Sequence, residues 1–565
     1  MEQLKNFGFE DGIPANWLTS STGTAHKYIY TQTGRIDGVS VAIEYVTREE
    51  GKIAAWTQTV QIDNTRQYKL SGWMETQNIV GSGASIKVDW KDYTGNNLST
   101  SAIATGIAGT TPWTYFEGEI TPDENAVNAT VVLELNDCSG KVSFDDLSFL
   151  LINTRKYYVA TNGNDSNIGT EYKPWRTISR AVRIDSPVAA GDIIYVKTGT
   201  YHEVANIQKS GIAGEYIALS AYPGHIVTID GTGLSMPNWQ GLINVDAKKY
   251  LRISGFKVIN SPQAGIHIDR STDIIVERNN VVKCRLSSIK IGFGHCRAIA
   301  IDGNTVDREY FPDPRQEVIS ISNTDNIEIK NNHVLQNGNG EGIDLKDGVT
   351  YGKVYNNIVE NCRNASKSFN GIYLDAQNIA EEYIEVYNNM VRNCGEGIRI
   401  GSEGIGTIRF IKVYNNILYD NTANGINISS YSYFNDGPIV NNILVINNTL
   451  YHNGTSPWSG GISIEGKRNI GMRIDSITIR NNIVIGNALF QIRYTEIDPY
   501  VTNIVSDHNL VIGDPKFIDV VNNDFHLKET SPAINAGSML LAPAFDFDYK
   551  ERSQGFAFDI GAYEY

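Results

Sequence analysis

Seven residues in the middle of the chain carry side chains suited to acid–base work: Asp344, Lys346, Asp347, Tyr373, Asp375, Arg399 and Glu403. They fall in or just after three short aliphatic motifs, EGIDLK, NGIYLD and EGIRIG. In an extended strand successive side chains point to opposite sides, so with Ile and Leu turned inward the intervening residue and the one that follows face out. If these motifs stack as neighbouring strands about 4.8 Å apart, Asp344 and Asp375 lie on a diagonal of about 8 Å. Two carboxyls about 6.5–9.5 Å apart, with room for a water between them, are what an inverting glycosidase uses. One would donate a proton, kept on it by a neighbouring anion such as Asp347, while the other activates water.

The same cluster admits other readings. Lys346 or Arg399 could serve as the base of a β-elimination on a uronic acid, with Ca2+ held by carboxylates such as Asp344 and Asp347. Lys346 and Asp375 could equally form a structural cross-strand ion pair, contributing under about 1 kcal/mol. Tyr373, Glu403 and Lys290 are the expected substrate contacts in the catalytic readings. A non-catalytic adhesive protein is a further alternative, though a stalk would spread its charges evenly rather than gather them on a few central segments.

What must position these residues is a repeat. The motif AGIHID, SSIKIG, EVISIS, EGIDLK, NGIYLD, EGIRIG, NGINIS, GGISIE alternates along the chain with a second, strand-like motif ending in Asn. The second motif sets Asn280, Asn304, Asn332, Asn357, Asn389, Asn416, Asn448 and Asn482 in one column, at spacings of 24 to 34 residues. Strands this short cannot bury a core alone and must stack, which predicts a solenoid filled with Ile and Val and edged by an Asn ladder. Stacked coils put His267, Lys290, Ser320, Asp344, Tyr373, Arg399, Asn427 and Ser463 in one outward column. Cys362 and Cys394 each follow a column Asn by five residues and are expected to stack; the five cysteines, with no CxxC pair, read as core.

The chain has 565 residues, enough for two domains. A net charge of −15 with no basic run excludes nucleic acid and anionic membranes as partners. It also opposes a polyanionic substrate unless calcium intervenes, which favours hydrolysis. No membrane span and no signal peptide can be read, and a monomer that is secreted or at the cell surface is expected.

From residue 1 to 152 the pattern changes to short alternating segments such as AAWTQTVQI, YKLSGWMET and KVSFDDLSFLL, which predict an antiparallel β-sandwich. Together with NFGFEDG at the start, these segments resemble carbohydrate-binding modules of the jelly-roll type that bind cellulose and xylan. The resemblance implies a poly- or oligosaccharide partner and a structural calcium held by Glu10 and Asp145. Trp56 and Trp73 would be the sugar-stacking candidates, although aromatics in alternating strands are more often core.

Residues 156–565 open with KPWRTISRAVRI, a short capping helix, and close with SPAINAGS and FDIGAYEY, expected to cap the last coil. This resembles right-handed parallel β-helix polysaccharide lyases and hydrolases of the pectate-lyase-like superfamily. The resemblance implies a catalytic domain that cleaves glycosidic bonds while the sandwich holds it at its substrate. The chain lacks a full calcium-and-base signature of a named lyase family, and of the polygalacturonase motifs only Asn323-Thr324-Asp325 is present. A glycoside hydrolase is therefore the first expectation and a polysaccharide lyase the second.

Overall fold

The computed structural model describes residues 3–5, 9, 16–31, 39–64, 66–152, 154–309, 316–336, 339–363, 369–429, 439–455, 458–466, 471–495, 500–552 and 555–565. The chain divides into two compact units, Met1–Arg155 and Lys156–Tyr565.

The first unit is built on three long antiparallel strands, Gln67–Lys91, Asn97–Ile120 and Asn128–Ile152. Strands of about 25 residues stay in one core only by bending, and the pairing slips at bulges where Gly81 and Gly83 adopt φ of +135° and +104°. Alternation then turns Leu70, Met74, Ile86, Val88 and Trp90 inward, with Tyr68 stacked on Phe149 at 4.7 Å.

The second unit is a right-handed parallel β-helix. Each coil contributes one strand to each of three parallel sheets, here called I, II and III, of thirteen, eleven and eleven strands among the described residues. One coil runs Thr324–Lys330 in sheet I, His333–Leu335 in sheet II and Ile343–Lys346 in sheet III. Ile and Val columns from the three sheets fill the interior as one continuous apolar cluster. The predicted capping helix is Ile178–Val182, with Thr177 as N-cap and Trp175 fully buried beside it.

Between sheets I and II the recurrent Asn-Asn pair divides two tasks. The first Asn, as at 331, 356, 388 and 415, takes φ of +52° to +56°, a left-handed conformation that Asn tolerates well. The second joins the ladder: Asn357 Nδ2 donates to Asn389 Oδ1 at 2.9 Å, Asn389 to Asn416 at 3.0 Å and Asn416 to Asn448 at 2.9 Å. The first coil's member is Asn279, not Asn280; Asn279 donates to Asn304 at 3.1 Å, while Asn280 opens a sheet II strand. A second ladder runs Asn421, Asn453, Asn487, and Cys394 stands in its column, donating its backbone N–H to Asn421 Oδ1.

The C-terminal segment does not stop at the last coil. It turns back along the helix and packs Phe517, Phe525 and Leu527 onto Ile417, Tyr419 and Ile483. The left-handed asparagines grip it from the side: Asn415 Nδ2 donates to Phe545 O at 2.7 Å and Asn388 Nδ2 to Phe547 O at 3.1 Å. Tyr549 Oη donates to Asn356 Oδ1 at 2.8 Å.

Candidate functional site

The expected column exists strand for strand in sheet III. Lys290 pairs with Ser320, Ser320 with Asp344, Asp344 with Tyr373, Tyr373 with Arg399 and Arg399 with Asn427. Lys346 stands in register with Ser322 on one side and Asp375 on the other. Alternation turns Ile343 and Leu345 into the core and Asp344 and Lys346 to the opposite side. The column is nevertheless sheltered: Asp344 is 1% exposed and Tyr373 2%.

The partners are not those the spacing suggested. Lys346 forms no ion pair with Asp375; its Nζ lies 2.6 Å from Glu317 Oε1 and 3.1 Å from Asp344 Oδ2. Glu317, Glu341 and Asp344 are buried together, with one carboxylate oxygen of each within 4.8 Å of the others. Burial works to raise the Glu317 carboxyl, but the Lys346 ammonium in contact with it wins and holds it below the usual range. For Asp344 burial wins: its pKa lies well above the usual value, with Glu317, Asp375 and Glu341 adding to the rise and Lys346 opposing it. Asp344 Oδ1 has no hydrogen-bond partner among the described residues.

Lys290 lies one strand beyond Ser320. Its Nζ donates to Ser320 Oγ at 3.1 Å and sits 4.9 Å from the centre of the Phe293 ring. Burial pushes the ammonium down to about 8, helped by the like charge of Lys346 and opposed by Glu317. Lys346 moves the other way, because Asp344 and Glu317 outweigh its own desolvation.

Asp375 is raised to about 7, first by burial and then by the charge of Glu403, whose backbone N–H nonetheless donates to Asp375 Oδ1 at 3.2 Å. Asp347 is a turn acceptor, its Oδ1 taking the Ile379 N–H at 3.0 Å, and its negative charge adds to the rise of Asp375. Arg399 is 3% exposed, bound to Glu396 at 3.2 Å and lying over the Tyr373 ring at 5.3 Å. A guanidinium keeps its proton far more firmly than an amine, so the base role expected of Arg399 suits a lysine better.

Three acids beyond the predicted set complete the picture. Glu341 and Glu396 each precede the Gly of an EGI motif, a third column the repeat displayed openly. Glu381 is fully buried in register with Ile408, its two oxygens without partners among the described residues. Burial keeps its pKa well above the usual carboxylate value. Aligning EEYIEVYNN with IRFIKVYNN would have exposed it as an acid in an aliphatic column.

In the first unit Trp56 is not a sugar platform. It is 6% exposed in the core, with its indole N–H donating to Ala42 O at 3.3 Å. Trp73 is half-buried, 5.3 Å from the partly exposed Tyr115 ring. Asp145 is fully buried and accepts the Asp146 N–H, while Glu10, its expected calcium partner, lies outside the described residues. The carboxylate group that could hold an ion among the described residues is instead Glu317, Glu341 and Asp344.

A buried row of acids and lysines on one sheet of a parallel β-helix, preceded by an antiparallel sandwich, defines a class of two-domain all-β proteins. The chain belongs to the Pel9A-like right-handed β-helix family, whose description matches residues 157–469, and a carbohydrate binding domain matches residues 1–140. It is 27% identical to the uncharacterized protein YwoF of Bacillus subtilis (strain 168) over 447 residues, 66% of this chain and 91% of that one. It is 33% identical to pectate lyase PEL9 of Emericella nidulans over 138 residues, 22% of this chain and 33% of the relative. Among solved structures, pectate lyase Pel9A aligns over 73% of this chain and 97% of its own, at 18% identity and a TM-score of 0.48.

Proposed function

We propose that the protein is a polysaccharide lyase that cleaves a uronic-acid-containing chain by β-elimination at the sheet III site. The observation that carries this reading is the pair Lys290 and Lys346, set around Ser320 and Ser322 beside three buried carboxylates. Elimination needs a base for the proton at C5 and a positive charge against the uronate carboxylate. An amine held near 8 by burial and by a like charge is a base poised for neutral to mildly alkaline pH. Lys290 takes that part. Lys346, locked as a cation and with 29% of its side chain exposed, meets the uronate carboxylate.

The names of the pectate lyase relatives support the same class of substrate. Hydrolysis is the weaker reading, because an acid–base pair needs environments that push two pKa values apart. Asp344 and Asp375 are both pushed up, so the predicted pair does not divide into an acid and a base.

A hard divalent cation fits Glu317, Glu341 and Asp344: the donors are all carboxylate oxygens, and Asp344 Oδ1 has no protein partner among the described residues. Such an ion would add positive charge against the substrate carboxylate, in competition with the Lys346 ammonium for the same oxygens.

The test is an assay on polygalacturonate and other uronic polymers that follows both reducing ends and the absorbance of unsaturated uronate. Both signals are expected together. Lys290→Ala should lower kcat at least a hundredfold, whereas Lys346→Arg, which keeps the charge, should retain a measurable rate. Reducing ends without the absorbance would sink the lyase reading. Loss in Lys346→Arg with activity kept in Lys290→Ala would move the base to Lys346.

A further inference from the structure

On the outer surface of sheet I, away from the sheet III site, ten successive coils carry one residue in the left-handed conformation at or just before the start of the strand. In the first of them it is Tyr250, at +53°, and in six it is short or amide-bearing: Asp273, Ala298, Asn326, Asn442, Ser476 and Asn503 have φ of +52° to +59°. In three successive coils it is Tyr351, Tyr383 and Phe410, at +53°, +58° and +59°. Bulky side chains are strained at positive φ, and Asn largely escapes that strain, so the rings are not there for the backbone's sake. Nor do they serve the core: they are 57%, 43% and 38% exposed.

The three rings stack face to face, with centroids 5.0 and 4.9 Å apart and planes within 9° of parallel. They edge a trough of about 850 Å³ that runs across seven coils from Asn326 to Asn503. At about 4.8 Å per coil its length is roughly 29 Å. A second ladder, Tyr355, Tyr387 and Tyr414, stacks at 4.8 Å at the other end of the same strands, and Lys412 and Leu444 line the trough and the hollow beside this ladder alike. Along the floor the Lys412 ammonium is paired with Glu385 at 2.9 Å.

We infer that this trough is a second carbohydrate-binding surface, taking an extended glycan laid along the helix axis. Aromatic edges and a terminal ring, flanked by the amides of Asn442 and Asn503 and the hydroxyls of Ser476 and Thr478, match the mixed apolar and hydroxylated surface of a sugar chain. Charged side chains crossing the floor make it a poor apolar seat for another protein or a second copy. The inference concerns binding alone and stands whichever bond the sheet III site cleaves.

The test uses the full chain and hydrogen exchange, which needs no turnover. Saturating oligogalacturonate, xylo-oligosaccharide or β-1,4-galacto-oligosaccharide is added, and peptides covering 381–387, 408–414 and 439–446 are followed. At least one glycan should slow their exchange. The double variant Tyr383→Asn/Phe410→Asn keeps the fold, because Asn already occupies this column at 326 and 442. It should abolish that protection and weaken retardation in a gel containing the same glycan three- to tenfold, with the sandwich untouched. Absence of protection with all three glycans would overturn the inference. So would a doubled mass in sedimentation that the double variant halves, since a second copy would then cover the face.

Discussion

Asp375 illustrates how much a single residue's role depends on what surrounds it. Its position in the outward row follows from counting along NGIYLD, but its protonation follows from burial and from Glu403, neither of which the motif displays. A carboxyl raised from its unfolded value near 4 to about 7 binds its proton more tightly in the folded state. The stability this provides is full below about pH 4 and is lost as pH rises through about 7. Asp375→Asn is therefore expected to match the parent at pH 4 and to exceed it at pH 9 by about 4 kcal/mol, read from denaturant unfolding at the two pH values. A pH-independent difference would show that Asp375 is ionised in the folded protein. The Lys346 pairing was illegible for a related reason: Glu317 enters from the segment that leads into the strand, where side-chain reach decides the contact and periodicity is silent.

At the scale of the strand the sequence was far more transparent. Parallel strands stacked in register convert a repeat in the chain into a column in space, so the Ile, Asn and outward columns could be counted directly. The one slip, Asn280 for Asn279, came from treating every Asn-Asn pair as equivalent, when in this coil Arg278 takes the left-handed position, Asn279 joins the ladder and Asn280 opens the next strand. Each ladder asparagine saturates its amide. Asn389 donates to Val354 O, Tyr387 O and Asn416 Oδ1 while its Oδ1 accepts from Asn357. Asn389→Ala would strand several buried polar groups at once. A loss of about 2–5 kcal/mol is expected in chemical unfolding. Asn280→Ala, outside the ladder, should cost less than about 1 kcal/mol.

For the whole molecule, two kinds of organisation coexist. A solenoid's stability is mostly a sum of neighbour contacts, so its ends fray and its middle persists. The returning C-terminal segment departs from that rule. It buries Phe517, Phe525 and Leu527 on coils laid down about a hundred residues earlier and reaches Asn356 through Tyr549, 193 residues away in the chain. It carries no repeat, which is why it read as a simple end cap. Deleting residues 514–565 is expected to lower the unfolding midpoint by more than 10 °C and to open the coils from Asn356 to Ile483 to limited proteolysis. If only the last coil became sensitive, the segment would be a terminal cap after all.

This return has a consequence for how the chain is made. The central coils emerge from the ribosome long before the residues that will clasp them, and until then their left-handed asparagines present unanswered amides along one flank. A product cut short by a premature stop would carry the complete sheet III row yet lack its fastening, and proteases would meet it in that loosened state. Residues 514–565 thus act as a seal that the central coils receive only after their own synthesis is over.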